Sequence, residues 1–303
     1  EFLQSKGMIK LDVDQAVFIY IKHGRLHGII TTHVDDLQLS GSQAFYKDII
    51  TPLRARFKFG NLQVSSFQCL GWTLSQEGND IIVDQKDFVS KKLQKTGINT
   101  QGKTGLITDQ ERSMFRSSLG QLRWCTDQSR PEAAFEALEM STVANKATYK
   151  DVEYLDKVIE KVKTTQNSVR FTSLKSDFWV ITVFADAAFK NILPEKISSG
   201  MGYLIFLTNG FALGKHGPCA LISYKSKKVD RVTSSTFDSE TLALEHALDQ
   251  ALLERHKLSK MTNVPLSLIR VEAFTDNNDL VSSVYSSKAN AKAGRVMIDI
   301  AKI

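Results

Sequence analysis

The sequence predicts an α+β protein, and three stretches carry that prediction. Ala16 to Ile21 and Leu26 to Thr32 are β-rich runs joined by Lys22-His23-Gly24-Arg25, the pattern of a hairpin. Residues 110–165 place apolar side chains at helical spacing. From Trp179 onward come three β-rich segments, one long amphipathic stretch and a further β-rich run, in that order. With 303 residues the chain has room for two or three cores, expected over 1–100, 101–170 and 171–303.

Composition narrows the class. Hydrophobic residues at 42% and charged residues at 24% are globular values and exclude wholesale disorder. Lys and Arg number 39 against 33 acids, giving +6 and a pI near 9.1. This mild basic excess is compatible with a polyanionic partner without demonstrating one. Cys69, Cys125 and Cys219 lie far apart, show no metal-ligand spacing and cannot all pair, which predicts an intracellular setting, cytoplasmic or nuclear. No apolar run reaches membrane-spanning length and no signal peptide opens the chain, so no membrane partner is expected. Glu1 to Lys10 has neither a start methionine nor a clear helix start and reads as the interior of a domain.

The stretch Thr31-Thr32-His33-Val34-Asp35-Asp36-Leu37 sets two aspartates between the apolar runs Leu26 to Ile30 and Leu37 to Leu39. Aspartate suits turns and disfavours strand interiors, so Asp35 and Asp36 are expected at the tip of a hairpin that closes near Gly41-Ser42. Phe45, Ile49, Leu53 and Phe57 follow at helical spacing, with Pro52 predicting a kink or two short pieces and Arg54, Arg56 and Lys58 a basic end. Phe67 to Leu74 and Asp80 to Val83 predict a second hairpin about Glu77-Gly78-Asn79. Lys86, Lys91, Lys92 and Lys95 could track a nucleic-acid backbone or equally form a solvated helix face. Gln94 to Thr108, polar and carrying Gly97, Gly102 and Gly105, reads as a linker.

Met114, Phe115, Leu119, Leu122 and Trp124 are nearly periodic, Pro131 suits the first turn of the next helix, and Tyr154, Val158 and Val162 continue the pattern. Trp179 to Ala185 is then a strand ending at Asp186, with Gly200 to Leu207 and Ala220 to Tyr224 as two more. Ser234 to Lys257 is the strongest helix, with Leu244, Ala247, Leu248 and Ala251 on its apolar stripe. Leu268 to Phe274 is a last strand, ending at Asp276.

Asp186, Glu240 and Asp276 form the chemical constellation. Two are expected at strand ends. Glu240 falls on the apolar stripe of a helix, where an unpaired charge is costly. Carboxylates converging from separate elements hold divalent cations, and two such ions clamp the attacking and leaving oxygens of a phosphoryl transfer.

Several strings resemble a known family. Thr31 to Leu37 resembles the Tyr-x-Asp-Asp motif of reverse transcriptases, in the His-Val-Asp-Asp form of Ty1/copia-type retrotransposons. Leu119-Gly120-Gln121-Leu122-Arg123-Trp124 and Arg130-Pro131-Glu132-Ala133-Ala134-Phe135 are similar to that family's Gly-x-Leu-x-Trp and Arg-Pro-Asp-x-Ala-Tyr elements. Phe184-Ala185-Asp186-Ala187, Ile222 to Lys227, Ser235 to Thr241 and Thr275-Asp276-Asn277 resemble its successive ribonuclease H motifs. Arg295 to Ile300 resembles the His-Ile-Asp-Ile helix that follows, with Asp299 expected on its surface.

The resemblance implies partial reverse transcriptase palm hairpins, with the Leu70-Gly71 hairpin placed to hold a primer end and a thumb opening at Gln85. A helical thumb and connection would follow, and then a ribonuclease H-like α/β domain. It implies Asp35 and Asp36 as catalytic metal ligands in the palm, and Asp186, Glu240 and Asp276 as those of the ribonuclease H site. Asp238 would be a neighbour without a ligand role. Mg²⁺ or Mn²⁺ would be the cofactor and RNA or an RNA/DNA hybrid the partner, with Lys225, Lys227, Lys228 and Arg231 able to meet phosphates or to form a solvated loop.

Two family elements have no match. Only Asp12 and Asp14 precede Asp35, in a stretch that does not correspond to the family's upstream palm aspartate. The fourth ribonuclease H carboxylate and the last strand and helix are likewise unmatched. The expectation is a chain that does not polymerise DNA by itself and has weakened ribonuclease H activity. One account is a piece of a retroelement polyprotein. The other is a domesticated, catalytically inert scaffold or binding subunit of a host complex, or one completed by a second chain.

Overall fold

A computed structural model describes residues 1–174, 178–192, 198–210 and 216–286, and the chain is α+β. It divides into two compact units, the first formed by 1–63 with 251–271 and the second by 64–250 with 272 onward. No described helix is long and apolar enough to cross a membrane.

The first unit opens with a short helix, α1 (Phe2–Ser5), and an antiparallel sheet in chain order: β1 (Ile9–Lys10), β2 (Val17–Lys22), β3 (Arg25–His33) and β4 (Asp36–Gly41). His23 and Gly24 both have positive φ, so a two-residue turn joins β2 to β3 as predicted. A second tight turn, Val34-Asp35, carries the first aspartate, and the second, Asp36, opens β4 opposite His33. Ser42 then caps α2 (Gln43–Phe45), accepting the Phe45 N–H at 3.3 Å.

The predicted break at Pro52 is realised as a change of helical winding. A π-helical turn over Tyr46–Ile50 widens the backbone just ahead of α3 (Thr51–Arg56), whose first turn accommodates the proline. Phe45, Ile49 and Leu53 are buried with Ile30 and Met8. Phe57 lies beyond the helix in extended backbone and is exposed, so the apolar stripe is one residue shorter than its spacing implies.

The second unit contains an eight-stranded sheet. β5 (Ser66–Cys69), β6 (Trp72–Glu77) and β7 (Asp80–Asp84) form its first edge. The stretch from Phe67 to Leu74 is thus not one strand. Leu70 and Gly71 both adopt positive φ and fold it back on itself, pairing Cys69 with Trp72. After α4 (Lys86–Lys91), the polar stretch expected as a linker is packed instead. Ile98 and Ile107 join the helical core, and the Asp156 carboxylate accepts the Thr96 N–H at 2.7 Å and its hydroxyl at 3.0 Å. Its few apolar residues are spaced for neither helix nor strand, so the burial left no periodic signal.

The helical region is α5 (Asp109–Gln128), α6 (Ala134–Val143) and α7 (Tyr149–Thr165). Capping boxes start two of them, Thr108 with Glu111 and Thr148 with Asp151. Phe115, Leu119, Leu122, Leu155, Val158 and Ile159 fill the core between them. Arg130 is buried among them and its guanidinium is satisfied by Glu132, the Val162 carbonyl and Thr165.

β8 (Val169–Phe171) pairs with both β7 and a later strand. β9 (Trp179–Ile192), β10 (Ser198–Asn209) and β11 (Cys219–Lys228) follow as an antiparallel meander. Then come α8 (Thr236–Thr262), β12 (Ile269–Phe274) and α9 (Asn278–Tyr285). The sheet order β12-β9-β10-β11 puts the last strand beside the first of the three. β9 is longer than predicted and runs through Asp186 to Ile192, so Asp186 sits within a strand and not at its end. Alanines at 185, 187 and 188 hid the continuation, because they lack the β-branched signature of the preceding Val-Ile-Thr-Val.

Candidate metal centre

Strand alternation delivers Asp186. From Val183 onward, Val183, Ala185 and Ala187 are buried while Phe184, Asp186 and Ala188 face out. Across the ladder Asp186 faces Gly202, which leaves the neighbouring position on β10 without a side chain.

Glu240 is placed by the start of α8. The Asp238 carboxylate accepts the Ser234 N–H at 2.9 Å and an Arg231 N–H at 3.3 Å, while Ser235 Oγ accepts the Asp238 N–H at 3.1 Å. Ser239 joins a buried hydroxyl cluster with Thr233 at 2.9 Å and with Ser199 of β10 at 3.1 Å. These bonds pin the first turns of the helix, and Ala187, Met201, Val229 and Ala243 pack beside them. Asp276 lies two residues past β12, directly before Asn277, whose side chain caps α9 by accepting the Leu280 N–H at 3.0 Å.

The three acids converge. One carboxylate oxygen from each of Asp186, Glu240 and Asp276 lies within 4.8 Å of the others. Asp186 and Asp276 are exposed, whereas Glu240 is only 5% exposed. Burial, and then the negative charge of Asp186, push the Glu240 carboxyl up to about 7. Asp276 and a hydrogen bond with Asp186 act in the same direction, and the Ala187 N–H partly offsets them. Glu240 Oε2 is buried without a hydrogen-bond partner. Among the described residues no lysine or arginine forms an ion pair with any of the three.

This donor set fits a hard divalent cation. All the candidate ligands are carboxylate oxygens, the preference of Mg²⁺ and Mn²⁺. A cation here would satisfy the orphaned Glu240 oxygen and relieve the repulsion among three clustered acids.

The other predicted positions distribute differently. Asp35 and Asp36 are exposed at their hairpin tip and belong to no group of three acids among the described residues. Asp12 is engaged by Lys260 at 3.2 Å, and the Asp14 carboxylate accepts the Ala16 N–H at 2.9 Å. Asp238 serves the helix start and is outside the acid group. Of the lysines in and after α4, Lys86 lies 3.8 Å from Asp84, Lys91 pairs with Asp87 at 2.9 Å and Lys95 with Glu160 at 3.0 Å. Lys225 pairs with Asp127 at 3.4 Å and Lys227 with Asp230 at 2.6 Å. Asp299 and the rest of Arg295 to Ile300 lie outside the described residues.

Sequence reasoning missed the aromatic pair beside the acids. Phe184 and Phe274 stack with centroids 5.3 Å apart and planes 21° from parallel. The signal was present as a repeated Phe-x-Asp, at Phe184-Ala185-Asp186 and Phe274-Thr275-Asp276.

No family model matches the sequence, and no curated protein matches it. Among solved structures, the foamy viral protease-reverse transcriptase in complex with RNA/DNA hybrid aligns at 14% identity with a TM-score of 0.44. The alignment covers 90% of this chain, which spans about a third of that protein (34%).

Proposed function

We propose that this chain derives from a retroelement reverse transcriptase/ribonuclease H of the Ty1/copia type. Asp186, Glu240 and Asp276 are its ribonuclease H metal ligands, serving hydrolysis of RNA paired to DNA. The observation that carries this reading is the convergence of three acids, from β9, α8 and the end of β12, on one point beside a buried, unpartnered glutamate oxygen. Mg²⁺ or Mn²⁺, when bound, would supply activated water and charge neutralisation for phosphodiester cleavage.

The protein's own residues set the conditions for that chemistry. Glu240 releases its proton to become a ligand, and its burial fixes the position of its carboxylate. Asp186 and Asp276, on the exposed side, leave room for a phosphate backbone, and Gly202 keeps that approach clear. Lys225 and Ser226 line the same open groove as Asp186 and Asp276 and are placed to meet neighbouring phosphates.

A second reading concerns the first unit. Asp35 and Asp36 have no third acid near them among the described residues, which favours a palm hairpin that does not polymerise by itself. A domesticated binding subunit, or a palm completed by another chain, would look the same there.

The test is cleavage of an end-labelled RNA/DNA hybrid in Mg²⁺ or Mn²⁺. Cleavage that is lost on chelation and in Asp186→Asn supports the ribonuclease H reading. Hybrid binding without cleavage supports the binding subunit, and cleavage that survives Asp186→Asn contradicts the assignment of the site.

A further inference from the structure

We infer that Phe184 and Phe274 are positioning residues for the metal centre, their stacked rings setting the distance between Asp186 and Asp276. The inference rests on the metal reading above. Residues two apart on a strand share a face, so Phe184 and Asp186 point the same way from β9. Phe274 is the last residue of β12, and Asp276 lies two residues beyond it, outside the strand. No ladder bond of β12 therefore holds Asp276 directly. It lies between the stacked Phe274 on one side and the Asn277 cap of α9 on the other.

The stack joins the two neighbouring strands at the level of the acids. Phe206 of β10 meets the Phe184 ring edge-on, with centroids 6.1 Å apart and planes at 81°, so Phe184 is braced from both sides. Yet Phe184 and Phe274 are each 46% exposed. Half-exposed rings bury little of the area that would justify them as core, while their geometry ties together the backbones bearing two of the three ligands. Loss of the stack would let the end of β12 drift from β9, and the ligand oxygens would no longer converge.

The experiment is a Mn²⁺ titration by calorimetry of the full chain, its Phe184→Leu and Phe274→Leu variants and the double variant, with thermal unfolding measured in chelator. Leucine keeps the position apolar but removes the stack. Each single variant should bind Mn²⁺ roughly 3- to 10-fold more weakly, in the range an aromatic pair contributes. The double variant should lose little more than either single one, because both remove the same contact. Phe274→Tyr, which keeps the ring, should bind as the wild type does. Leu106→Ala, an exposed position before the helical region and away from the stack, should also leave affinity unchanged. Leucine variants that bind Mn²⁺ with wild-type affinity would overturn the inference while leaving the metal site standing. A wild-type protein that binds no Mn²⁺ would overturn the metal reading and this inference with it.

Discussion

The buried Glu240 carboxyl and the exposed Asp186 carboxylate bring oxygens within 4.8 Å of each other where α8 meets β9, and burial together with that neighbouring charge pushes Glu240 up to about 7. Two carboxylates this close cannot both ionise at low cost in a half-closed site, so the buried one retains its proton. Replacing its neighbour tests the relationship. Asp186→Asn removes the adjacent charge, and the Glu240 carboxyl should fall toward the ordinary glutamate value, as read by carbon-detected NMR titration of the metal-free protein. An unchanged Glu240 titration would mean that burial alone sets it.

The same group predicts how stability depends on pH when no metal is present. The folded-state carboxyl titrates near 7, above its ordinary 4.5, so the folded protein holds the proton more tightly than the unfolded chain. The resulting stabilisation is fully present below about pH 4.5 and is lost as pH rises through about 7. Its size is about 3 kcal/mol by linkage. Urea unfolding in chelator should give lower stability at pH 8 than at pH 5, and Glu240→Gln should reduce that difference. Added Mn²⁺ should restore stability at pH 8.

A second close approach governs the first unit. Gly28 and Gly41 are paired across β3 and β4, and the Phe45 ring lies over both. A Cβ at Gly28 would fall 2.1 Å from the ring and one at Gly41 2.2 Å from it. Gly28→Ala should destabilise this unit by about 1–3 kcal/mol through overpacking. Combining it with Phe45→Leu should cost less than the sum of the two single changes, as read by chemical denaturation. Strict additivity would contradict the packing described.

The helical region depends on its caps. Thr148 Oγ1 accepts the Asp151 N–H, and the Asp151 carboxylate accepts the Thr148 N–H at 2.7 Å. Thr148→Ala should cost about 1 kcal/mol, and Thr148→Ser well under that. Equal losses in both variants would show that the methyl group, not the hydroxyl, carries the effect.

Much of this architecture was legible because its signals are local. The hairpin at Lys22-His23-Gly24-Arg25 and the Asp35-Asp36 tip follow from alternation and turn chemistry. The α7 helix follows from the helical spacing of Tyr154, Val158 and Val162. The three acids of the candidate site were singled out by two apparent strand ends, by Glu240 on an apolar stripe and by the resemblance of their strings to ribonuclease H motifs. What was misread turns on unusual backbone or on partners distant in sequence. The fold-back at Leu70-Gly71 uses a leucine at positive φ, which no residue preference announces. The packing of residues 94–108 rests on Asp156, about sixty positions away. The aromatic pair needs β12 beside β9, a pairing visible only in the folded sheet.

Direct binding of Mn²⁺ tests whether Asp186, Glu240 and Asp276 form one divalent-cation site. Titration followed by electron paramagnetic resonance should show tightly bound ion in the wild-type protein. That ion should be absent in Asp186→Asn and in Asp276→Asn, and retained in Asp35→Asn. Ion binding that survives both the Asp186 and the Asp276 substitution, or is lost only on changing Asp35, would contradict the assignment.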